Sequence, residues 1–136
     1  MKPIIIAPTD STPLVDFGSN GHFLIEGRSR PEDAVKFFRP LIEFIEYSTV
    51  SEVNFDINLE YFNTATSKNL LELLKVLDAN RNIERVFVNW HFEKGDEDSI
   101  EMAEIFEDYL NRIYFRYIDH EQFTSLINNN SYTYFG

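Results

Sequence analysis

The sequence of 136 residues contains no cysteine and only 5 glycines. Without thiols the chain has no disulfide, no cysteine nucleophile, no iron–sulfur cluster and no zinc site built on cysteine. It also lacks a P-loop and the G-x-G-x-x-G pattern, in which glycines let the backbone cradle phosphates. These absences exclude several large enzyme classes, and a chain free of cysteine suits a reducing compartment.

Basic residues are also scarce, because Lys and Arg number 12 against 23 Asp and Glu, which gives a net charge of −11. Nucleic acids and anionic membranes both require a basic binding surface, so we expect neither as a partner. Uninterrupted apolar runs such as Ile4–Ala7 are far shorter than the roughly 18 residues of a membrane span. That run is also too short for the apolar region of a signal peptide. We therefore predict a cytoplasmic location.

Apolar residues make up 43% of the chain and aromatic residues 15%, which is enough to build a core at this length. We predict a single domain over residues 1–136, with its core in about residues 9–127 and a polar C-terminal tail after it.

Hydrophobic periodicity predicts an α/β fold. Strands are predicted at 13–17, 22–26, 53–59, 86–90 and 113–118. Helices are predicted from about 31 to 47, from the mid-sixties to about 80, from about 100 to 110, and as a short final helix within 119–127. The order is a β-hairpin followed by alternating β-α units, which predicts a mostly parallel mixed sheet packed by helices on one or both faces.

Local signals refine this prediction. Asn20-Gly21 between the first two strands is typical of a hairpin. Ser29 and Glu32 have capping-box spacing, which predicts the start of the first helix, and Pro40 lies inside that helix. The alternation of Val53, Phe55, Ile57 and Leu59 with polar residues predicts a strand with one buried face.

Evidence for enzyme chemistry is weak. His22, His91 and His120 do not follow a metal-binding helical pattern, and we interpret each as an ordinary surface or half-buried histidine. Asp96 and Asp98 could hold Mg²⁺ or Ca²⁺, which would make the chain a small metal-dependent enzyme, but their spacing departs from an EF-hand loop. Acidic residues at a helix start also complement the helix dipole, so we predict no metal and no cofactor.

The segment Asn63-Thr64-Ala65-Thr66-Ser67 joins the clearest strand to the second helix. One interpretation is structural: Thr64 or Thr66 caps the helix, and the chain is purely a structural interaction domain. The other is a hydroxyl that accepts a phosphate, because the helix dipole and free N–H groups favour an anion there. A phosphate would add about −1.5 to −2 charge and block an interface at this point.

Sequence motifs between about residues 9 and 118 resemble a known family. They are Ser11-Thr12-Pro13, Leu24-Ile25-Glu26-Gly27, Ser29-Arg30-Pro31-Glu32-Asp33, Phe37-Phe38-Arg39-Pro40-Leu41, Leu59-Glu60-Tyr61-Phe62-Asn63-Thr64 with Ser67-Lys68, Val88-Asn89-Trp90 and Asp96-Glu97-Asp98. With these motifs the chain resembles the SiaC family of bacterial regulatory phosphoproteins, small domains similar to the SpoIIAA-type anti-anti-sigma (STAS) fold.

The resemblance implies a non-enzymatic adaptor of a phospho-switch. Thr64 matches the regulated phospho-acceptor, and Thr66 and Ser67 are alternative acceptors. The implied partners are a Ser/Thr kinase of the histidine-kinase-like ATPase type, a PP2C-like phosphatase and an output protein, a diguanylate cyclase that controls biofilm formation. The unphosphorylated form would bind and activate that cyclase. The implied partner-binding residues are Tyr61, Phe62, Asn63, Thr64, Thr66, Ser67 and Lys68.

Overall fold

The computed structural model of the chain describes residues 2–127. The strands are β1 (Ile4–Ile6), β2 (Leu14–Phe17), β3 (His22–Ser29), β4 (Glu52–Phe62), β5 (Arg85–Glu93) and β6 (Ile113–His120). The helices are α1 (Ala34–Glu46), α2 (Thr64–Ala79) and α3 (Glu97–Asp108). The predicted tail at 128–136 lies outside the described residues. Within residues 2–127, no helix is both long and apolar enough to span a membrane.

The six strands form one mixed sheet in the order β1-β2-β3-β4-β5-β6. The first three strands are antiparallel, and β3 to β6 are parallel neighbours. The predicted α/β fold, with its hairpin and mostly parallel mixed sheet, is therefore confirmed. The sequence did not predict β1, because three residues are too few to show a strand periodicity.

All three helices lie on one face of the sheet. Each parallel strand pairs with the next one along the chain, so the strand order always advances in the same direction. Because β-α-β crossovers are right-handed, every connecting helix then packs on the same side of the sheet. The core between sheet and helices is rich in aromatic rings: Phe55 meets Phe17 at 5.5 Å and Phe23 at 5.8 Å, and Trp90 meets Phe106 at 5.8 Å between ring centroids. We call this side the helix face and the opposite side the open face.

The start of α1 differs from the prediction. Ser29 belongs to β3, and α1 begins at Ala34 with Asp33 as its N-cap. The Asp33 carboxylate accepts a hydrogen bond from the Lys36 N–H at 3.0 Å, so the predicted capping box is wrong. β3 extends to Ser29, so this residue lies in the sheet and not at the start of α1. Pro40 lies inside α1 as predicted.

The predicted helix within 119–127 is also wrong. β6 continues to His120, and residues 121–127, which we call the strap, cross the open face without forming a helix. Leu126 is buried against Leu14 and Leu24 there. Contacts to the sheet therefore replace the hydrogen bonds that a helix would have formed.

One buried carboxylate holds the strap. Glu26 is 5% exposed and accepts hydrogen bonds from the Ser125 hydroxyl at 2.5 Å and the Leu126 N–H at 2.7 Å. The Asn58 amide donates to Glu26 and to the Thr124 carbonyl, both at 2.9 Å. Polar residues of β4 are thus buried on the open face as well, so the prediction of one buried face for this strand is wrong.

Candidate functional site

The corner between β4 and α2 lies at the carboxyl edge of the parallel strands. β4 ends at Phe62, and α2 begins two residues later at Thr64. Because α1, α2 and α3 each follow a parallel strand, all three helices begin at this edge. Binding sites of open α/β sheets gather at the carboxyl ends of strands.

Asn63 caps α2, and the prediction that Thr64 or Thr66 does so is wrong. The Asn63 side chain accepts the Thr66 N–H at 2.9 Å, and its extended backbone donates an N–H to the Ser29 carbonyl at 3.1 Å. Its amide oxygen therefore satisfies one of the free N–H groups of the first turn. Thr64 is the first helical residue.

The three candidate hydroxyls differ in accessibility. Thr64 is exposed. Thr66 is fully buried, where its hydroxyl donates to the Ser29 carbonyl at 3.0 Å and lies 2.8 Å from the Ser29 hydroxyl oxygen. Ser67 is 7% exposed and donates to the Thr64 carbonyl at 2.8 Å. Of the three, Thr64 is the hydroxyl that another protein could reach without unfolding the helix.

The other predicted binding residues lie around Thr64. Tyr61 is 45% exposed, and the Arg28 guanidinium carbon lies 5.6 Å from its ring centroid. Phe62 is half-buried and meets Trp90 edge-on at 6.4 Å. Lys68 is exposed one turn further along α2. The predicted set therefore forms one corner, with Tyr61, Thr64 and Lys68 outward and the other four residues supporting them.

Two depressions of different chemistry flank this corner. The first, which we call the α1–α2 groove, is lined mainly by apolar groups and carries lysines from both helices. Its lining includes Val35, Lys36, Phe37, Pro40, Ala65 and Lys68. The second lies towards α3 and contains the carboxylates of Glu60, Asp96 and Asp98.

The acidic start of α3 has a structural role. Asp96 is its N-cap and accepts the Ser99 N–H at 3.1 Å, while Glu97 and Asp98 occupy the first turn and are exposed. Negative charge here complements the positive end of the helix dipole. Among residues 2–127, no group of three His, Asp or Glu residues is arranged to hold a metal ion.

Sequence reasoning missed a cluster of histidines on the open face. His91 Nε2 lies 2.8 Å from Asp56 Oδ1, and His91 Nδ1 lies 2.9 Å from His120 Nε2. His22 Nε2 is 3.6 Å from Asp56 Oδ2. His91 is only 6% exposed, so its interpretation as a surface or half-buried residue is wrong. The alternation of β4 and β5 does place Asp56 and His91 opposite the core, which is the signal that could have paired them.

The environment of His120 alters its protonation. Burial lowers the pKa of the His120 imidazole and neighbouring His91 lowers it further, while Asp119 opposes both. A lowered pKa favours the neutral imidazole of His120.

The fold and the corner define a class of protein: a one-sided α/β domain that presents an accessible hydroxyl at the start of a surface helix. The chain belongs to the SiaC family, because a family profile described as SiaC family regulatory phosphoprotein matches residues 6–120. This confirms the family resemblance seen in the sequence. The strap at 121–127 lies beyond the matched residues.

Solved structures agree with this assignment. SiaC of Pseudomonas aeruginosa is 26% identical with a TM-score of 0.78, covering 88% of this chain and all of that one. A structure described as the diguanylate cyclase SiaD in complex with its activator SiaC, from the same organism, contains a chain 26% identical with a TM-score of 0.76. That match covers 86% of this chain and 99% of the other. A comparison with curated protein sequences gave no match.

Proposed function

We propose that this chain is a non-enzymatic cytoplasmic adaptor whose partner binding is switched by phosphorylation of Thr64. The unphosphorylated form binds and activates a diguanylate cyclase. A Ser/Thr kinase of the histidine-kinase-like ATPase type adds the phosphate, and a PP2C-like phosphatase removes it. The related SiaC of Pseudomonas aeruginosa, which is the activator of the cyclase SiaD in their complex, supports the choice of output protein.

The observation that carries this proposal is the difference among the three hydroxyls. Thr64 is exposed, whereas Thr66 and Ser67 are buried and hydrogen-bonded. A kinase must bring the acceptor oxygen to its own active site, and only an accessible side chain allows this approach. A phosphate on Thr64 would then place about −1.5 to −2 charge in the middle of the partner-binding residues.

The test compares cyclase binding by the wild-type chain, Thr64→Ala and Thr64→Glu. We expect Thr64→Ala to bind as the wild type does and Thr64→Glu to bind at least about tenfold more weakly, which is about 1.4 kcal/mol of binding free energy. Thr49→Glu is the matched control, because Thr49 is exposed between α1 and β4 at the opposite edge of the sheet.

Mass spectrometry after incubation with the kinase identifies the acceptor directly. Phosphate on Thr64 in the wild type, and none on Thr64→Ala, is the expected result. Equal cyclase binding by both Thr64 variants would leave the chain a structural interaction domain. Phosphate on Thr66 or Ser67 would show that the first turn of α2 opens before modification.

A further inference from the structure

We propose that the outer edge of β6 is a docking site for an extended basic segment of another protein, which adds to the sheet as a further strand. The side chains of this segment alternate, with lysine or arginine on the helix face and apolar groups on the open face. Strand addition to an exposed sheet edge is a recurring way in which proteins bind extended segments. The edge is separate from the corner at Thr64, so this inference goes beyond the proposed function.

β6 is an unprotected edge of the sheet. It ends the strand order, and its 8 residues pair with β5 in a regular register. Natural proteins shield edge strands with proline, lysine, a bulge or a short length, because unpaired backbone groups bind further strands. At the opposite edge, β1 has only 3 residues and follows Pro3. By contrast, Ile113–His120 contains no proline, glycine or lysine.

The backbone of β6 shows which of its groups a partner can reach. The His120 carbonyl accepts the Lys94 N–H at 2.7 Å, so the backbone of His120 faces β5. Backbone groups of successive residues point to opposite sides of a strand, so Arg116 also faces β5. The N–H and C=O groups of Phe115 and Tyr117 therefore point away from the sheet. Among residues 2–127, no strand pairs with this side of β6.

On the helix face, negative charge lies beside this edge. Of the 12 residues of α3, six are acidic and none is basic, and within residues 2–127 no ion pair joins α3 to a lysine or arginine. The Tyr117 hydroxyl donates to the Glu107 carboxylate, which brings this charge to β6 itself. Burial raises the pKa of the Tyr117 hydroxyl, and Glu107 and Glu104 raise it further. Basic side chains of an added strand would meet these two carboxylates.

On the open face, the same edge is aromatic. Tyr114 is 61% exposed and meets Phe87 edge-on at 6.0 Å between ring centroids. The Arg116 guanidinium carbon lies 4.7 Å from the Phe87 ring centroid and would repel a second basic group. Apolar side chains therefore fit this side of an added strand. Because side chains of a strand alternate between its faces, the two sides together select alternating basic and apolar residues.

The charge of α3 argues against a second copy of this chain as the occupant. A two-fold axis that paired β6 with β6 of a second copy would bring the two α3 helices to the same side of the joined sheet. Each helix carries six acidic residues, and each chain has a net charge of −11. Like charges repel, whereas a basic segment is attracted to the same carboxylates.

The experiment titrates labelled peptides into the purified full chain. The probe is a peptide of alternating lysine and valine with the 8-residue length of β6. One control peptide replaces lysine by glutamate, and another carries backbone N-methyl groups, which remove its hydrogen-bond donors. We expect both controls to bind at least about tenfold more weakly than the probe. Binding of the probe should weaken at high salt, because ions screen exposed charges.

Hydrogen exchange and substitutions locate the bound peptide. The probe should slow exchange at the Phe115 and Tyr117 amides, which gain carbonyl partners. Glu104→Lys and Glu107→Lys should each bind the probe about tenfold more weakly. Glu43→Lys is the matched control, because Glu43 is exposed on α1, and it should bind as the wild type does.

The outcomes separate this inference from the proposed function. Thr64→Glu should bind the probe as the wild type does, so a failed switch and a failed edge are distinguishable. Equal binding of all three peptides would overturn the inference. Equal losses in Glu43→Lys and Glu107→Lys, or unchanged exchange at Phe115 and Tyr117, would reduce the binding to unspecific attraction by an acidic chain. A dimer of the free chain that Tyr114→Lys dissociates would show that a second copy occupies the edge, and would also overturn the inference.

Discussion

The two faces of the sheet are built from the same strands but are held together by different physics. On the helix face, Phe17, Phe23 and Phe55 pack as rings, and apolar burial stabilises them without fixed direction. On the open face, Asp56 and Glu26 are buried and accept several hydrogen bonds each. The helix face tolerates small shifts, whereas each polar group of the open face requires a partner at a defined distance.

The same comparison explains why different kinds of segment cover the two faces. Three amphipathic helices cover the helix face, and their period is visible in the sequence. A strap of seven residues, 121–127, covers part of the open face by offering backbone groups to Glu26 and Asn58. A short irregular segment is sufficient there because the sheet provides the polar groups that bind it.

The largest expected effect comes from matched phenylalanines on opposite faces. Phe55→Ala should cost about 3–5 kcal/mol of unfolding free energy, because it leaves a cavity among buried rings. Phe87→Ala should cost about 1 kcal/mol, since Phe87 is half-buried against Tyr114 and Arg116. Chemical denaturation of both variants measures the difference. Equal losses would mean that the open face contributes as much apolar stabilisation as the core.

The next effect tests the strap. Glu26→Ala should cost about 2–3 kcal/mol, because buried donors from Asn58, Ser125 and Leu126 lose their acceptor. Hydrogen exchange should quicken at the Leu126 N–H and leave the amides in the middle of α1 and α2 protected. Glu26→Gln retains one acceptor and should lose less, and exposed Glu84→Ala is the control. Unchanged exchange at Leu126 would show that apolar packing alone holds the strap.

A smaller loss of stability is expected at the carboxyl edge of the sheet, where α2 begins. Asn63→Ala should cost about 1 kcal/mol through loss of the α2 cap. Thr64→Ala should stay within about 0.5 kcal/mol of the wild type, as exposed substitutions usually do. Thermal unfolding of the two single variants and of the double variant measures both. A larger loss for Thr64→Ala would return the capping role to Thr64.

The smallest effect is a pH dependence of the open face. The pKa of His120 is lowered from its usual 6.5, so the folded state binds fewer protons than the unfolded state just below that pH. This contribution to stability should be complete above about pH 6.5, the ordinary pKa of histidine, and decline as the pH falls below it. His120→Asn should flatten the decline. A slope that persists in His120→Asn would assign the titration to other groups of the cluster.

Sequence reasoning succeeded where periodicity or a local turn controls the structure. The alternation in β4 and the leucine spacing of α2 placed those elements, and Asn20-Gly21 placed the hairpin between β2 and β3. It also brought Tyr61, Thr64 and Lys68 to one corner. These signals depend on neighbours a few residues apart, so they remain valid before the tertiary structure is known.

It failed where distant residues decide between local alternatives. Asn63 and Thr64 are both good caps, and the hydrogen bond from Asn63 to Ser29 across strands is invisible in the local sequence. The segment after His120 is compatible with a helix until Glu26 and Asn58 compete for its polar groups. The cluster of Asp56 with His91 and His120 requires the sheet register that joins β4 to β6.

The strap also sets an order of events during synthesis. Glu26 bonds Ser125 and Leu126, which lie 99 and 100 positions later in the chain. At about 5–20 residues per second, the ribosome makes these partners roughly 5–20 s after Glu26. The strands β4 and β5 and the helices α1, α2 and α3 are all synthesised in that interval. Closure of the open face is therefore a late step, and a nascent chain that stops before residue 125 has a different surface from the finished protein.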